Sequence, residues 1–325
     1  MQRYVTLPLY FIFFFYVSCA NNQAPRTPEI SALKPSPLMS VPTETKSPQP
    51  TTTPEKPVIE HVLPEPTPYI REFKITKAND MPMAKIKGKD IKELSGIVPA
   101  GNQGEYWGHN DRGNDPEIYR FNRKGKILQQ VKLEGIPNDD WECITRDAQG
   151  NLYIGATGDN DKKKETYHIY QLEEPKRESK RLATIKTHSF VYSGGKSHNC
   201  EAFFLFDGKF YLITKENDNN DKPVIFCLDS FHDNEMATAR KLGKFNCQGK
   251  VTDASYSQTH QLLAVLTYSQ ITLYRVTQPQ DLFTSPLFTI DIDLGQSEGI
   301  CFDGDVLIIT NESGEFWNYS IRDIM

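Results

Sequence analysis

Positive charge is in short supply: 37 Lys and Arg stand against 42 Asp and Glu in 325 residues, for a formal net charge of -5. That balance offers no global field for a phosphate backbone, so nucleic acid is not expected as a partner. Paired cysteines are also lacking. The chain has six, at 19, 143, 200, 227, 247 and 301, with no CxxC and no Cys/His spacing suited to zinc. The last five read mainly as small buried residues. Proline is scarce where a fold is expected: twelve of the 21 fall between residues 20 and 68. Absent too are the G-x-S-x-G elbow, the Walker loop, H-E-x-x-H and the Rossmann fingerprint, so no common nucleophile, phosphate-loop or zinc-protease motif names a reaction.

What is present divides the chain into three parts. Residues 1–19 hold Arg3, an apolar run from Tyr4 to Val17, and a small residue directly before Cys19. The run is too short for a membrane span and has the flanks of a secretory signal. Its end resembles the lipobox of bacterial lipoproteins, although Tyr16 stands where Leu is usual. The expectation is an exported protein, lipidated at Cys19 and anchored to a bacterial membrane facing the periplasm or cell exterior. Residues 20–68, rich in Pro, Thr and Ser, cannot bury enough apolar surface to offset their ordering entropy and are expected to form a disordered tether. Residues 69–325 are the globular part.

That part repeats. Five segments each pair a polar or acidic residue with a small one before an apolar strand: Leu94-Ser95-Gly96-Ile97, Trp141-Glu142-Cys143-Ile144, Cys200-Glu201-Ala202-Phe203, Thr252-Asp253-Ala254-Ser255 and Ser297-Glu298-Gly299-Ile300. Every opening is followed by an apolar strand with a polar tail, then by a strand with an aromatic near its start, such as IYRF at 118–121 or LYRV at 273–276. A fourth strand completes four of the units, and the fifth unit lacks one. The segment IREFKITKA at 70–78 is expected to fill that gap. This order predicts an all-β β-propeller of five four-stranded blades, six being left open, closed by an N-terminal strand.

In such a meander the start of the first strand and the end of the second lie at one end of the sheet. Both polar motifs of each unit therefore meet at one mouth. The candidates are Glu142, Glu201, Asp253 and Glu298 from the openings, and His109, Asn110, Asp111, Asp159, Asn160, Glu216, Asn311 and Glu312 from the second-strand tails. Carboxylates held together must raise their pKa values or take up a cation, and hard oxygen donors favour Ca²⁺ or Mg²⁺. A second account is structural: acids at strand entries hydrogen-bond backbone amides of the neighbouring blade. Arg112, Lys196, His198 and Lys215 are expected to bring positive charge near the same mouth.

The segment ELSGI…HNDRGNDPEIYRFNRKGK…NDDWECI…LYIGATGDN…IYQLEEP, over 93–175, resembles a group of bacterial envelope β-propellers and is similar to the SdiA-regulated-domain family. Two positions depart from the group: Cys143, where it has an acid, and Ala156, before Gly158-Asp159-Asn160. The resemblance implies a propeller outside the cytoplasm and carries no activity with it. Three roles fit: binding an extracytoplasmic ligand or protein at the mouth, Ca-dependent hydrolysis of the lactonase or phytase-like esterase type, or a passive scaffold.

Overall fold

A computed structural model describes residues 74–76, 81–215, 222–232, 235–244, 246–283 and 286–324. The expected signal segment, Cys19, the tether and Glu216 lie outside them. Among the described residues no helix is long and apolar enough to cross a membrane.

Two short strands, β1 (Lys74–Thr76) and β2 (Ala84–Lys85), precede the repeats. The first unit comprises β3 (Leu94–Pro99), β4 (Glu105–Asn110), β5 (Glu117–Asn122) and β6 (Ile127–Leu133). The second is β7 (Cys143–Arg146), β8 (Asn151–Ala156), β9 (Tyr167–Glu173) and, after the two-residue β10 (Arg181–Leu182) that pairs in parallel with β6 and extends the first sheet, β11 (Ile185–Tyr192). The third is β12 (Cys200–Phe206), β13 (Lys209–Thr214), β14 (Val224–Leu228) and β15 (Ala237–Lys244). The fourth is β16 (Val251–Ser257), β17 (Leu262–Thr267), β18 (Gln270–Arg275) and β19 (Phe288–Asp293). The last is β20 (Ser297–Asp303), β21 (Val306–Asn311) and β22 (Glu315–Ser320), followed by α1 (Ile321–Ile324).

Each unit is an antiparallel meander, and its first strand packs on the first strands of its neighbours: β3 on β7, β7 on β12, β12 on β16, β16 on β20, and β20 back on β3. A ring of sheets whose first strands line an axis is a β-propeller. Burial follows from that packing. Strands β13 and β17, covered on both faces, are buried nearly throughout, whereas the outer β6 alternates buried and exposed residues. Apolar clusters fill the seams between adjacent sheets: Trp107 with Trp141 and Ile154, Phe203 with Tyr167 and Phe226, Phe204 with Tyr211 and Val265, Ile271 with Ile300 and Trp317, and Phe121 with Leu94 and Phe316. Each large side chain removed from water there is worth about 2 kcal/mol, so the seams dominate cohesion of the ring. Cys143, Cys200, Cys227, Cys247 and Cys301 are free thiols, all but Cys247 fully buried.

Two expectations are corrected. The strand that completes the last sheet is β2, antiparallel to β22, not the 70–78 segment. Within that segment β1 runs parallel to β19 and extends the fourth sheet at its outer edge. A closing strand needs only enough residues to cover one exposed edge, and two suffice here. The second correction concerns register. Four first strands carry a bulge at the same point, skipping Gly96, Glu201, Thr252 and Glu298 in the pairing with the second strand. Thr252, not Asp253, therefore occupies the place of Glu201 and Glu298. Asp253 stands one residue on, and one residue along a strand reverses the face.

Candidate functional site

The bulges explain how the acids reach the mouth. A bulged residue is released from the ladder and its side chain re-aimed. Glu201 and Glu298 sit at such points, and Glu142 lies just before β7, its amide bonded to the Gly155 carbonyl. All three are buried. Thr252, at its bulge, and Ser95, one residue before the bulge at Gly96, carry hydroxyls that donate across to the next unit, Ser95 Oγ to the Glu142 carbonyl (3.0 Å) and Thr252 Oγ1 to the Ser297 carbonyl (2.6 Å). Asp253, on the other face, takes the Ile300 amide of the adjacent strand (2.7 Å) and its neighbour Ala254's amide (2.8 Å). The structural account of the acids thus holds at Asp253, whose carboxyl burial pushes up, and the three glutamates do something else.

Lys215, at the end of β13, organises one side of the mouth. Its Nζ lies 2.5 Å from Glu201 Oε2 and 5.1 Å from the centre of the Tyr268 ring. Tyr268 in turn donates its hydroxyl to Glu298 Oε1 (2.7 Å), and Asn199 donates Nδ2 to Glu201 Oε1 (3.1 Å). Burial pushes Glu201 up to about 7 despite the opposing pull of Lys215. Burial, reinforced by Glu201, takes Glu298 to about 8. Burial of the ammonium opposes its charge, but Glu201 and Glu298 outweigh this and keep Lys215 protonated.

The other side is more acidic. One carboxylate oxygen from each of Asp111, Asp140 and Glu142 lies within 4.8 Å of the other two. Two like charges at that spacing repel by ~3 kcal/mol at an effective dielectric of about 20, several times the net worth of one hydrogen bond. All three carboxyls are raised, by burial first; Glu142 rises furthest, with Glu201, Asp111 and Asp140 adding to it. Arg112 Nε lies 3.6 Å from Asp140 Oδ1, its side chain over half exposed. Glu312 faces the same region; burial and Asp111 raise it, and it accepts Gln296 Nε2 at 2.9 Å.

Gly158 makes this approach possible. A Cβ built there would collide with Glu142 Oε1 and come within 2.6 Å of the Asp140 carboxyl carbon. Asp140 was not foreseen as a site residue. It follows Asp139 in NDDWE, and only its left-handed backbone (φ 71°) turns its carboxyl inward, a conformation Asp tolerates better than most residues.

Several expected ligands are occupied elsewhere. Asp159 takes the Lys163 and Lys164 amides and the Tyr167 hydroxyl, each at 2.9 Å; burial would raise its carboxyl, but these bonds outweigh it and hold it low. Asn110 accepts the Lys92 and Glu93 amides and donates to the Asp90 carbonyl. Asn311 accepts the Ser313 hydroxyl and the Glu315 amide and donates to the Leu294 carbonyl. These tails clamp their own loops, as Asx side chains do. Asn160 is exposed, its Oδ1 accepting Asn199 Nδ2. His109 is fully buried, one ring nitrogen 3.1 Å from the Asn110 carbonyl, its ring edge-on to Trp141 at 5.7 Å. Burial lowers it to about 4, so it is a neutral core residue at neutral pH. Lys196 and His198 line a separate cavity.

No protein-family model and no curated protein matches the chain. Among solved structures it is similar to the nidogen/laminin complex (12% identity, 74% of this chain and 80% of that one, TM-score 0.44). It is similar also to a proposed gluconolactonase (11%, 73% and 90%, 0.42) and to the WD40 β-propeller domain of Doa1 (12%, 75% and 70%, 0.35). Likeness at this level says nothing of ligand or activity.

Proposed function

We propose that the chain is a five-bladed, extracytoplasmic, lipid-anchored β-propeller that binds a ligand or protein partner at its acidic mouth through a divalent cation held by Asp111, Asp140 and Glu142. The observation that carries this reading is the convergence of those three carboxyls within 4.8 Å. The donor set fits: Ca²⁺ takes carboxylate oxygens at about 2.3–2.6 Å, so two ligands of one ion stand at most ~5 Å apart. All three donors are hard oxygens, and the other acids nearby favour a cation over an anion. Held there, the ion would neutralise the triad and present open positions to an oxygen-bearing ligand. The apolar segment ending at Cys19 supports export and anchoring.

The test is a thermal-shift titration of the full chain, stripped with chelator, against Ca²⁺ and Mg²⁺. A saturable rise in Tm that Glu142→Gln abolishes is expected; no rise, or a rise that survives the substitution, rejects the cation. For the anchor, Cys19→Ser should release the protein from the membrane fraction, and its persistence there rejects lipidation. A second reading, hydrolysis, is favoured by one feature: Glu201, at about 7 and paired with Lys215, is poised for proton transfer near neutral pH. Turnover of a lactone or phosphate ester that Glu201→Gln eliminates without loss of cation binding would establish it.

A further inference from the structure

We propose that Arg112 is the ligand-recognising residue of the acidic mouth, and that it selects a carboxylate monoanion, one oxygen on the cation and the other on the guanidinium. The assignment rests on the cation held by Asp111, Asp140 and Glu142. Two chain segments build the arrangement: residues 110–114 leave the end of β4, and residues 138–142 lead into β7. Asn138 ties one to the other. Its Nδ2 donates to the Asn110 and Asp111 carbonyls (3.1 and 2.9 Å), and its Oδ1 accepts the Trp141 amide (3.2 Å). The backbone at Arg112 is held in turn, its amide donating to Asp111 Oδ1 (2.5 Å), while Asn114 Nδ2 donates to the Asp111 carbonyl (3.1 Å). A side chain on a fixed backbone is pre-organised for binding.

The guanidinium itself is hardly engaged. Among the described residues its one ion pair is Nε to Asp140 Oδ1 at 3.6 Å, too long for a hydrogen bond. Other arginines of the chain hold their acids closely, Arg120 on Glu105 and Arg123 on Asp303 at 2.6 Å, Arg181 on Glu134 at 2.7 Å. Asp140 shows the matching deficit. It is only 4% exposed, yet its Oδ1 accepts no hydrogen bond from any described residue. A buried acceptor in that state is costly, and a cation at the triad satisfies it. The same cation takes the charge of Asp140 away from Arg112, whose guanidinium is then left beside the ion without a counter-ion. Its parallel N–H donors match a planar carboxylate or a phosphoryl group. Charge decides between the two. Three ionised carboxylates, a divalent ion and a guanidinium balance, and Glu93 and Glu312, which both repel Asp111, add negative charge around them. A phosphoryl dianion meets about twice the repulsion there that a carboxylate meets.

Calorimetric titration of the full chain tests this, first with Ca²⁺ alone and then, at saturating Ca²⁺, with sodium lactate, with acetyl-Ala-Ala-Ala bearing a free C-terminus, with the neutral amide of each, and with methyl phosphate. Expected is saturable binding of at least one carboxylate, about tenfold or more tighter than its amide or methyl phosphate, and lost in EDTA. Tighter lactate assigns a small organic acid, and tighter peptide a polypeptide terminus. Arg112→Gln should take up Ca²⁺ at least as tightly as the parent chain, because positive charge beside Asp140 opposes the ion, yet bind the carboxylate about tenfold more weakly. Arg112→Lys, with the charge but not the fork, should fall between them. Absence of Ca²⁺ uptake rejects the cation and the carboxylate with it. With Ca²⁺ uptake intact, the role of Arg112 is overturned by failure of both carboxylates to bind, by tighter methyl phosphate, by equal carboxylate binding in Arg112→Gln, or by weaker Ca²⁺ uptake in that variant.

Discussion

The buried acids of the mouth and the exposed lysines of the rim, such as Lys196 and Lys241, house charge in opposite ways. At the mouth the acids are buried on bulged or adjoining first strands, and their charge is suppressed by raised pKa values or met by Lys215. Lys196 and Lys241 are exposed on a loop and on β15, where water screens them and one side chain contributes little to folding. Charge built into the ring is coupled to stability; exposed charge on its rim is coupled to it far less.

The largest expected effect is at Lys215. Removing one partner of a buried pair costs about 3–5 kcal/mol, so Lys215→Met should lower Tm by roughly 6–15 °C at pH 8. At pH 5 the drop should shrink by half or more, because Glu201 and Glu298 can protonate. Lys241→Met on the exposed rim should move Tm by about 1 °C or less. Equal drops for the two lysines would erase the distinction.

Gly158→Val comes next. The new side chain must displace Glu142 and Asp140, and overpacking of this kind costs about 1–3 kcal/mol. The melt should fall accordingly, and any Ca²⁺-dependent rise should vanish with it. A variant that melts normally and still binds Ca²⁺ would show that the acids do not need this close approach.

The pH dependence has a definite sign. Glu298 titrates near 4.5 when unfolded and at about 8 when folded, so the native state binds the extra proton between those values. Stability is therefore full below about pH 4.5 and declines as pH rises toward 8; Glu201 adds to the decline up to about 7. Urea melts in EDTA should lose about 1–2 kcal/mol between pH 5 and 8, less than the pKa difference alone implies because the groups share Lys215. Glu298→Gln should flatten the slope. A slope that instead rises with pH would mean that both acids are ionised in the native state.

These contrasts show what the sequence makes legible. The meanders, the seams and the glutamates at 142, 201 and 298 follow from spacing, because strand order and hydrophobic period are local. Asp253 does not, since the bulge that makes Thr252 the equivalent residue is a property of strand pairing and leaves the one-dimensional pattern ambiguous by one position. Asp140 depends on a left-handed backbone with no mark of its own. The polar tails at Asn110, Asp159 and Asn311 are placed correctly at strand ends, but loop amides compete for the same oxygens and win. The closing strand is two residues long, too short to leave a period of its own.

The smallest effect tests the register itself. Ser95 pairs with His109 one residue before Gly96, which by pairing holds the place of Glu201 and Glu298, and its hydroxyl spans to the Glu142 carbonyl. Ser95→Ala should cost about 1 kcal/mol, the net worth of one hydrogen bond, with no change in pH dependence. Ser95→Glu loses the same bond but adds a carboxyl at the mouth. It should match the alanine variant near pH 5, where the new acid can remain protonated, and fall below it at pH 8. If the two variants track each other across that range, position 95 does not face the acids, and the mouth in the first unit is confined to the bulge at Gly96. If they diverge, the mouth in the first unit reaches one residue past the bulge, and charge can be added to it there without disturbing Gly96.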